Sequence, residues 1–340
     1  MAVLKVPFQY AEGVKKALLS SNCFDFERAL KRDSEFVYFP TLFAISLPNA
    51  ELVELELKPV ERPQKDLKRS LEFYLTPEEL DLCQRSFDVI GSIAILEICD
   101  DLLAKEDIIA TALLESHPQI KTVLKKIGMH EGEFRTQVME FVAGVDTRET
   151  LYRESGVSIL VDVEKVYFSP RTSNERLRIA KLVKGGEKIL VMFSGCGPYP
   201  LVIAKNASPK HIVGIELNPV AHDYALKNIA HNKCFNVAAL LGDVSTLVPP
   251  LGTFDRIIMP LPKNSEDFLA VALCASQPGT IIHFYTFCRE NALQSKAEEI
   301  VEKIHALGGL VVVQQVVIAG HYAPHVEKIC VDLVVLRPKN

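Results

Sequence analysis

The sequence predicts an α/β protein: a doubly wound, Rossmann-like parallel sheet closed by a terminal antiparallel hairpin, preceded by two smaller α+β domains. Three observations carry that prediction. From about residue 161 onward, apolar runs of strand length alternate with helical segments, as βα units in a parallel sheet do. The run Lys188–Met192 ends in the glycine turn Phe193-Ser-Gly-Cys-Gly197, and the next run, His211–Ile215, ends in the acid Glu216. The last two apolar runs, Leu310–Ile318 and Ile329–Leu336, are joined by the polar Gly320-His-Tyr-Ala-Pro-His325.

Taken in order, residues 1–58 read as a small α+β unit. Val14-Lys-Lys-Ala-Leu-Leu19 has helical spacing, Phe36-Val-Tyr-Phe39 reads as a short strand, and Val53–Leu57 alternates as another. The charged, proline-punctuated stretch 59–69 reads as a domain linker. A middle α+β domain follows over 70–160. In it Phe87–Leu96 is a strand with a turn or bulge at Gly91, Asp107–Lys126 contains helix interrupted near His117-Pro118, and Glu149–Val166 forms two strands around Glu154-Ser-Gly156. The Rossmann-like domain spans 161–340, with strands expected near 188–192, 211–216, 237–241, 254–259 and 280–287. Its clearest helices are Pro219–Asn232 and Asn291–Leu307, and its terminal hairpin is the arrangement of class I methyltransferases.

Composition narrows the functional classes. A chain of 340 residues, 48% hydrophobic and 24% charged, is an ordinary globular one with ample core. No apolar run approaches the ~20 residues that span a bilayer, and the N-terminus is no signal peptide, so a cytoplasmic protein without membrane partners is expected. The eight cysteines never approach closer than fourteen positions, which leaves no Cys-x-x-Cys pair for a metal knuckle or redox motif. The net charge of −5 argues mildly against nucleic acid, yet residues 165–188 carry seven Lys/Arg against two Glu. That stretch is either a nucleic-acid contact or a solvated helix face.

The glycine turn followed by Glu216 points to a nucleoside cofactor. Glycines let backbone approach a ligand, and a carboxylate at the next strand's end can take both ribose hydroxyls. No third glycine stands at the dinucleotide spacing, so S-adenosylmethionine fits better than NAD. In an open α/β sheet ligands sit outside the carboxyl ends of the strands. The first exit, Phe193, Ser194, Gly195 and Gly197, is then expected beside the methionine moiety, and Glu216, with Leu217, beside the ribose. Gly242-Asp243, with Val244, is expected at the adenine, although Asp243 is equally explained as a turn residue. Met259-Pro-Leu-Pro-Lys263 is expected at the substrate, its prolines stiffening the turn. Ahead of the sheet, Tyr167, Arg171, Glu175 and Arg176 cluster in a segment that also reads as a capped helix start.

These residues resemble the archaeal and eukaryotic-type tRNA (guanine-N1)-methyltransferases acting at position 37, beside the anticodon. The resemblance covers essentially the whole chain. It rests on Tyr167-Phe-Ser-Pro-Arg171 with Glu175-Arg176, and on Phe193-Ser-Gly-Cys-Gly-Pro198. Weaker support comes from Glu216-Leu-Asn-Pro219, Leu261-Pro-Lys263, His283-Phe-Tyr285, Tyr322-Ala-Pro324 and Phe87–Leu96. It implies an N-terminal module reaching the tRNA elbow, a middle domain and a catalytic domain, acting as a monomer on the anticodon loop. By position Arg135 would hold guanine O6, Glu175 would be the general base on N1, and Tyr167 would pack by cofactor and base. Pro260 would stand at cofactor and target base. Arg171, Arg176, Leu261, Pro262, Lys263 and Tyr322 would face the tRNA.

The sequence departs from the family pattern at three places. Val191 stands where the first strand usually ends in an acid, Pro260 replaces the asparagine of Asn-Leu-Pro-Lys, and Gly91-Ser-Ile93 replaces Gly-Asp-Ile. They suggest a divergent branch whose pocket also admits tricyclic intermediates of wyosine synthesis. Two rival readings are aminocarboxypropyl transfer from the same cofactor and a non-catalytic RNA-binding protein; retained Arg171 and Glu175 favour methyl transfer over the first.

Overall fold

The computed structural model describes residues 2–338 apart from 22, 26–27, 60–66, 73, 84–86, 133 and 262–263. Most of the expected linker, and the candidate substrate residues Pro262 and Lys263, lie outside the described residues. The chain divides into two compact units. One comprises Met1–Phe87, Ala94–Lys125 and Phe141–Asp146; the other comprises Asp88–Ile93, Lys126–Glu140 and Thr147–Asn340.

In the first unit, strands β1 (Ala2–Pro7), β2 (Lys31–Arg32), β3 (Phe36–Pro40) and β4 (Glu51–Glu54) form a sheet in the order β2-β3-β1-β4. The helix Ala11–Ser20 buries Val14 and Leu18 against Leu4, Val6 and Phe39, the helical spacing read from the sequence. Strands β5 (Asp88–Ile90), β6 (Ile93–Leu96), β7 (Thr122–Glu131) and β8 (Thr136–Gly144) make a second sheet in that order. The turn between β5 and β6 falls at Gly91, as expected. A Cβ there would sit 2.3 Å from Thr150 Oγ1 with φ at +58°, so only glycine fits. The neighbouring Ser92 uses its N–H on the same Thr150 hydroxyl at 3.0 Å.

The helix expected within Asp107–Lys126 is Glu106–Ser116, with the break at His117-Pro118 as read; beyond the break the chain does not resume as helix but enters β7 at Thr122. Pro118 denies the helix its next donor, and Val123 and Leu124 are buried as strand residues.

In the second unit the hairpin β9 (Glu149–Glu154) and β10 (Val157–Asp162) leads to a seven-stranded sheet. Its strands are β11 (Lys188–Met192), β12 (His211–Glu216), β13 (Val237–Leu241), β14 (Phe254–Met259), β15 (Ser276–Arg289), β16 (Leu310–Ala323) and β17 (Val326–Arg337). The order is β13-β12-β11-β14-β15-β17-β16, parallel from β13 to β15 and antiparallel at β17 and β16. The central strands are apolar almost throughout because helices cover both faces. Two asparagines one turn apart on helix Pro219–Asn232 bond the backbone of β10: Asn228 at Leu160 and Asn232 at Ser158. They satisfy edge donors and acceptors that would otherwise be open. Among the described residues no helix is long and apolar enough to cross a membrane.

Candidate active site

The site is built at the carboxyl ends of β11 and β12. Leaving β11, Phe193 adopts φ +57°, rare for an aromatic residue, and packs its ring edge-on against Phe268 at 4.9 Å. The chain then turns through Gly195 at φ +56° and caps the helix Pro198–Asn206 with Gly197 at φ +90°. Buried Ser194 donates its N–H to the Ile215 carbonyl at 2.8 Å, which ties the turn to β12. A Cβ on Gly195 would meet nothing nearer than the Tyr167 carbonyl oxygen at 3.9 Å, so the turn borders open space.

Glu216 closes the turn from the side. It accepts the Gly195 N–H at 2.7 Å and the Asn218 N–H at 2.8 Å. Burial pushes its carboxyl up, partly offset by these backbone donors. The Leu217 N–H also points at it, and among the described residues these donors leave acceptor capacity on the carboxylate for a ribose hydroxyl. Next to it Leu217 is exposed, an apolar surface for a purine face. Asp243 caps the short helix Val244–Leu247 by accepting the Ser245 N–H at 2.7 Å, and Val244 is buried beneath it. The turn explanation of Asp243 therefore holds, whatever else its exposed carboxylate does. The backbone cradle, the acid and the adjacent apolar surface together fit a nucleoside.

A second cluster lies beside this turn. The Arg135 guanidinium sits 4.8 Å above the Tyr167 ring, from a hairpin-tip residue at φ +52° between β7 and β8. Glu175, only 6% exposed, accepts Arg178 Nε at 2.7 Å, Arg178 Nη2 at 2.8 Å and the Tyr285 hydroxyl at 2.5 Å. Lys328 lies 5.2 Å from the Tyr285 ring, its ammonium pushed down to about 8 by burial and the nearby Arg176.

The other expected residues divide. Arg171 is exposed and paired with Asp88 at 2.8 Å; Pro260 and Leu261 are half-buried at the β14 exit; exposed Tyr322 stacks on Phe287 at 4.1 Å. Arg176 is a correction. It is 2% exposed and forks onto Glu154 with two bonds of 2.6 Å, and it also donates to the Ser169 carbonyl and Thr172 hydroxyl. In this structure its guanidinium is engaged by the fold and is not presented at the surface as a tRNA contact would be. Val191 is fully buried between Gly214 and Ile258 in the sheet, a place an unpaired acid would occupy only at high cost. His283, Cys330 and Asp332 gather three ligand-type atoms within 4.8 Å. They already bond one another, and the guanidiniums of Arg178 and Arg256 border them, a setting hostile to a cation.

Sheet order, the antiparallel β17 beside β15, the glycine turn and the acidic β12 exit define a Rossmann-like class I methyltransferase domain. Known proteins agree with that class. The TRM5/TYW2 methyltransferase domain model matches residues 150–312, the TYW2 N-terminal domain 67–147, and the tRNA methyltransferase 5 N-terminal domain 4–42. The tRNA (guanine(37)-N(1))-methyltransferase Trm5b of Pyrococcus abyssi is 35% identical over 338 residues, covering 97% of each chain. Its crystal structure superposes with a TM-score of 0.73, covering 98% of this chain and 99% of that one. A complex of aTrm5 with tRNALeu gives 0.71 at 27% identity, covering 98% and 100%. Trm5 of Methanocaldococcus jannaschii in complex with adenosine gives 0.67 at 27% identity, covering 99% and 100%. The tRNA (guanine(37)-N(1))/4-demethylwyosine(37)-methyltransferase Taw22 of Nanoarchaeum equitans is 33% identical over 271 residues, covering 64% of this chain and 89% of its own. The chain belongs to the Trm5 family of tRNA methyltransferases.

Proposed function

We propose that this protein transfers the methyl group of S-adenosylmethionine to N1 of guanosine 37 in tRNA, as a cytoplasmic monomer. The observation that carries the reading is the convergence of Arg135 over Tyr167, with Tyr167 at the Gly195 turn. When bound, the cofactor supplies an electrophilic methyl on a sulfonium. Glu216, Gly195 and Gly197 would hold it, with Leu217 and Asp243 at its purine end.

Guanine N1 carries a proton and is a poor nucleophile until that proton leaves. Glu175 takes it, breaking N1–H and forming a carboxyl O–H. Among the described residues three donors fill three of the roughly four acceptor positions on Glu175. The remaining one is on Oε2, and that is where the proton is received. Arg135 donates to O6 as negative charge develops there, and the N1 lone pair would then bond the methyl carbon as its bond to the sulfonium breaks, the electron pair staying on sulfur as a neutral thioether. Arg171, Leu261, Pro262, Lys263 and Tyr322 would border the anticodon loop, where a base leaves its stack more cheaply than in a duplex. The aTrm5–tRNALeu complex supports tRNA as the substrate, and the first module, whose residues 4–42 match the Trm5 N-terminal domain, would reach the tRNA elbow.

Single-turnover incubation with methyl-labelled cofactor and two transcripts, bearing guanosine or adenosine at position 37, tests this. Label on the guanosine transcript alone, recovered as 1-methylguanosine, is expected. A product heavier by an aminocarboxypropyl group, or no product, defeats the reading. Arg135→Ala is expected to slow the chemical step by ~10²–10³, the scale of losing one oxyanion donor, with cofactor affinity unchanged. A loss below threefold would remove Arg135 from O6.

Pro260 and the Taw22 relative favour a second substrate. Proline at the β14 exit offers the base no side-chain hydrogen bond, so the pocket would also admit the flat tricyclic wyosine intermediate. Equal activity on a plain transcript with no turnover of the tricyclic base counts against this.

A further inference from the structure

Behind the proposed base lies a chain of charges, half-buried at Arg178 and buried at Asp332, His283 and Arg256, whose members beyond Arg178 no step above uses. Arg178, three residues after Glu175 on the same helix face, forks onto Glu175 and also donates to Asp332 of β17 at 2.7 and 3.3 Å. Asp332 Oδ1 meets His283 Nδ1 at 2.6 Å, and His283 Nε2 meets the Arg256 guanidinium at 2.7 Å. Because Arg256 can only donate, Nε2 accepts and Nδ1 carries the proton given to Asp332. Arg256 in turn forks onto Glu187 at 2.7 and 3.0 Å.

Arg178 is therefore shared between two carboxylates. A guanidinium facing Glu175 alone would hold that carboxylate strongly ionised and make it a weak proton acceptor. A second negative charge on the far side of the same guanidinium cancels much of that effect at Glu175. We propose that Asp332 is a positioning residue which, through Arg178, keeps Glu175 basic enough to take the guanine N1 proton. The inference rests on Glu175 being the base.

The other groups that face Glu175 do not supply this charge. Arg176 lies on its own helix but is paired with Glu154, and Tyr199 faces it from helix Pro198–Asn206. Tyr285 faces it from β15, and Lys328 and Cys330 face it from β17. Burial holds the two tyrosines and Cys330 neutral by pushing them well up, and Lys328 is a cation at neutral pH and below. Among the described residues Asp332 is the acid that shares Arg178 with Glu175, whereas Glu154 is taken up by Arg176. Burial pushes the Asp332 carboxyl up, but His283 and Arg178 more than reverse that and keep it ionised well below the usual carboxylate range. Its charge is thus constant wherever Glu175 works.

The test titrates Glu175 directly. Protein labelled with ¹³C at the glutamate Cδ is followed by NMR against pH, with the Glu175 signal assigned by its loss in Glu175→Gln. Asp332→Asn keeps one oxygen to accept from His283 Nδ1 and Arg178 Nη2, presents an NH₂ to Arg178 Nη1 in place of Oδ2, and lacks the charge. It is expected to lower the Glu175 midpoint by about one pH unit, tenfold in acid constant. The acid limb of the single-turnover rate should move down with it, and Asp332→Glu should restore both. A midpoint that stays or rises in Asp332→Asn overturns the proposal, as does a slower rate with neither midpoint moved. If Asp332→Asn loses its thermal transition, Asp332→Ser takes its place with the same expected shift. The carboxyl midpoint reports this inference and labelled guanosine reports the underlying reading, so the two fail separately.

Discussion

Glu175→Gln is expected to lower single-turnover methyl transfer by ~10²–10⁴, the contribution of a positioned general base, while cofactor affinity stays within about twofold. The amide keeps the shape of the side chain but has no lone pair basic enough for the N1 proton. It also presents an NH₂ where Arg178 and Tyr285 now find oxygen. Arg178 still has Asp332 as its partner, so the helix Ser173–Leu182 keeps its seat and the variant folds. The cofactor contacts proposed above come from the exits of β11 and β12 and not from Glu175, which is why affinity and rate are expected to separate. Isothermal titration with S-adenosylmethionine beside the rate assay measures both. More than a tenth of wild-type rate in Glu175→Gln would remove Glu175 from the base role; parallel loss of binding and rate would make it a structural residue.

The parts of this site that were legible in the sequence are those written in local pattern. Strands β11, β12, β13 and β14 begin and end where the apolar runs do, because a parallel strand covered on both faces admits few polar residues. The glycine turn and Glu216 were legible for the same reason: backbone geometry restricts which residues can stand there. Strands β1, β7 and β8 were not, since their pairing is set by partners distant in the chain. In β7 the pair Lys125-Lys126 hides a strand whose Lys125 is buried and satisfied by Glu106 at 2.6 Å. The partners of Glu175 were missed although two carried a signal. Arg178 stands three residues along the same helix, the spacing of facing side chains. Asp332 interrupts the apolar run Ile329–Leu336, and an acid inside a buried strand demands a partner. Arg176 misled in the opposite direction, because a basic stretch says nothing about which of its members point inward.

Arg176 carries the second large effect. Arg176→Ala is expected to destabilise the second unit by about 3–5 kcal/mol, the cost of stranding a buried charge, and to lower its thermal midpoint by roughly 10 °C. Glu154, its side chain 4% exposed, would lose the guanidinium that forks onto it in the interior. The loss reaches further than one ion pair. The same guanidinium holds the Ser169 carbonyl and the Thr172 hydroxyl and lies 5.4 Å from the Phe168 ring. It thereby fixes the segment that carries Tyr167 and Arg171. Arg176→Lys keeps the charge but not the fork, so it should recover only a small part of the stability. The double variant Glu154→Gln/Arg176→Met removes both charges and should recover more than either single change, as expected when an unpaired partner rather than a missing contact sets the cost. Calorimetric melting of the four proteins decides it. If Arg176→Ala melts within about 2 °C of wild type while tRNA affinity falls, the guanidinium reaches the RNA after all, and its burial against Glu154 belongs to the free enzyme alone.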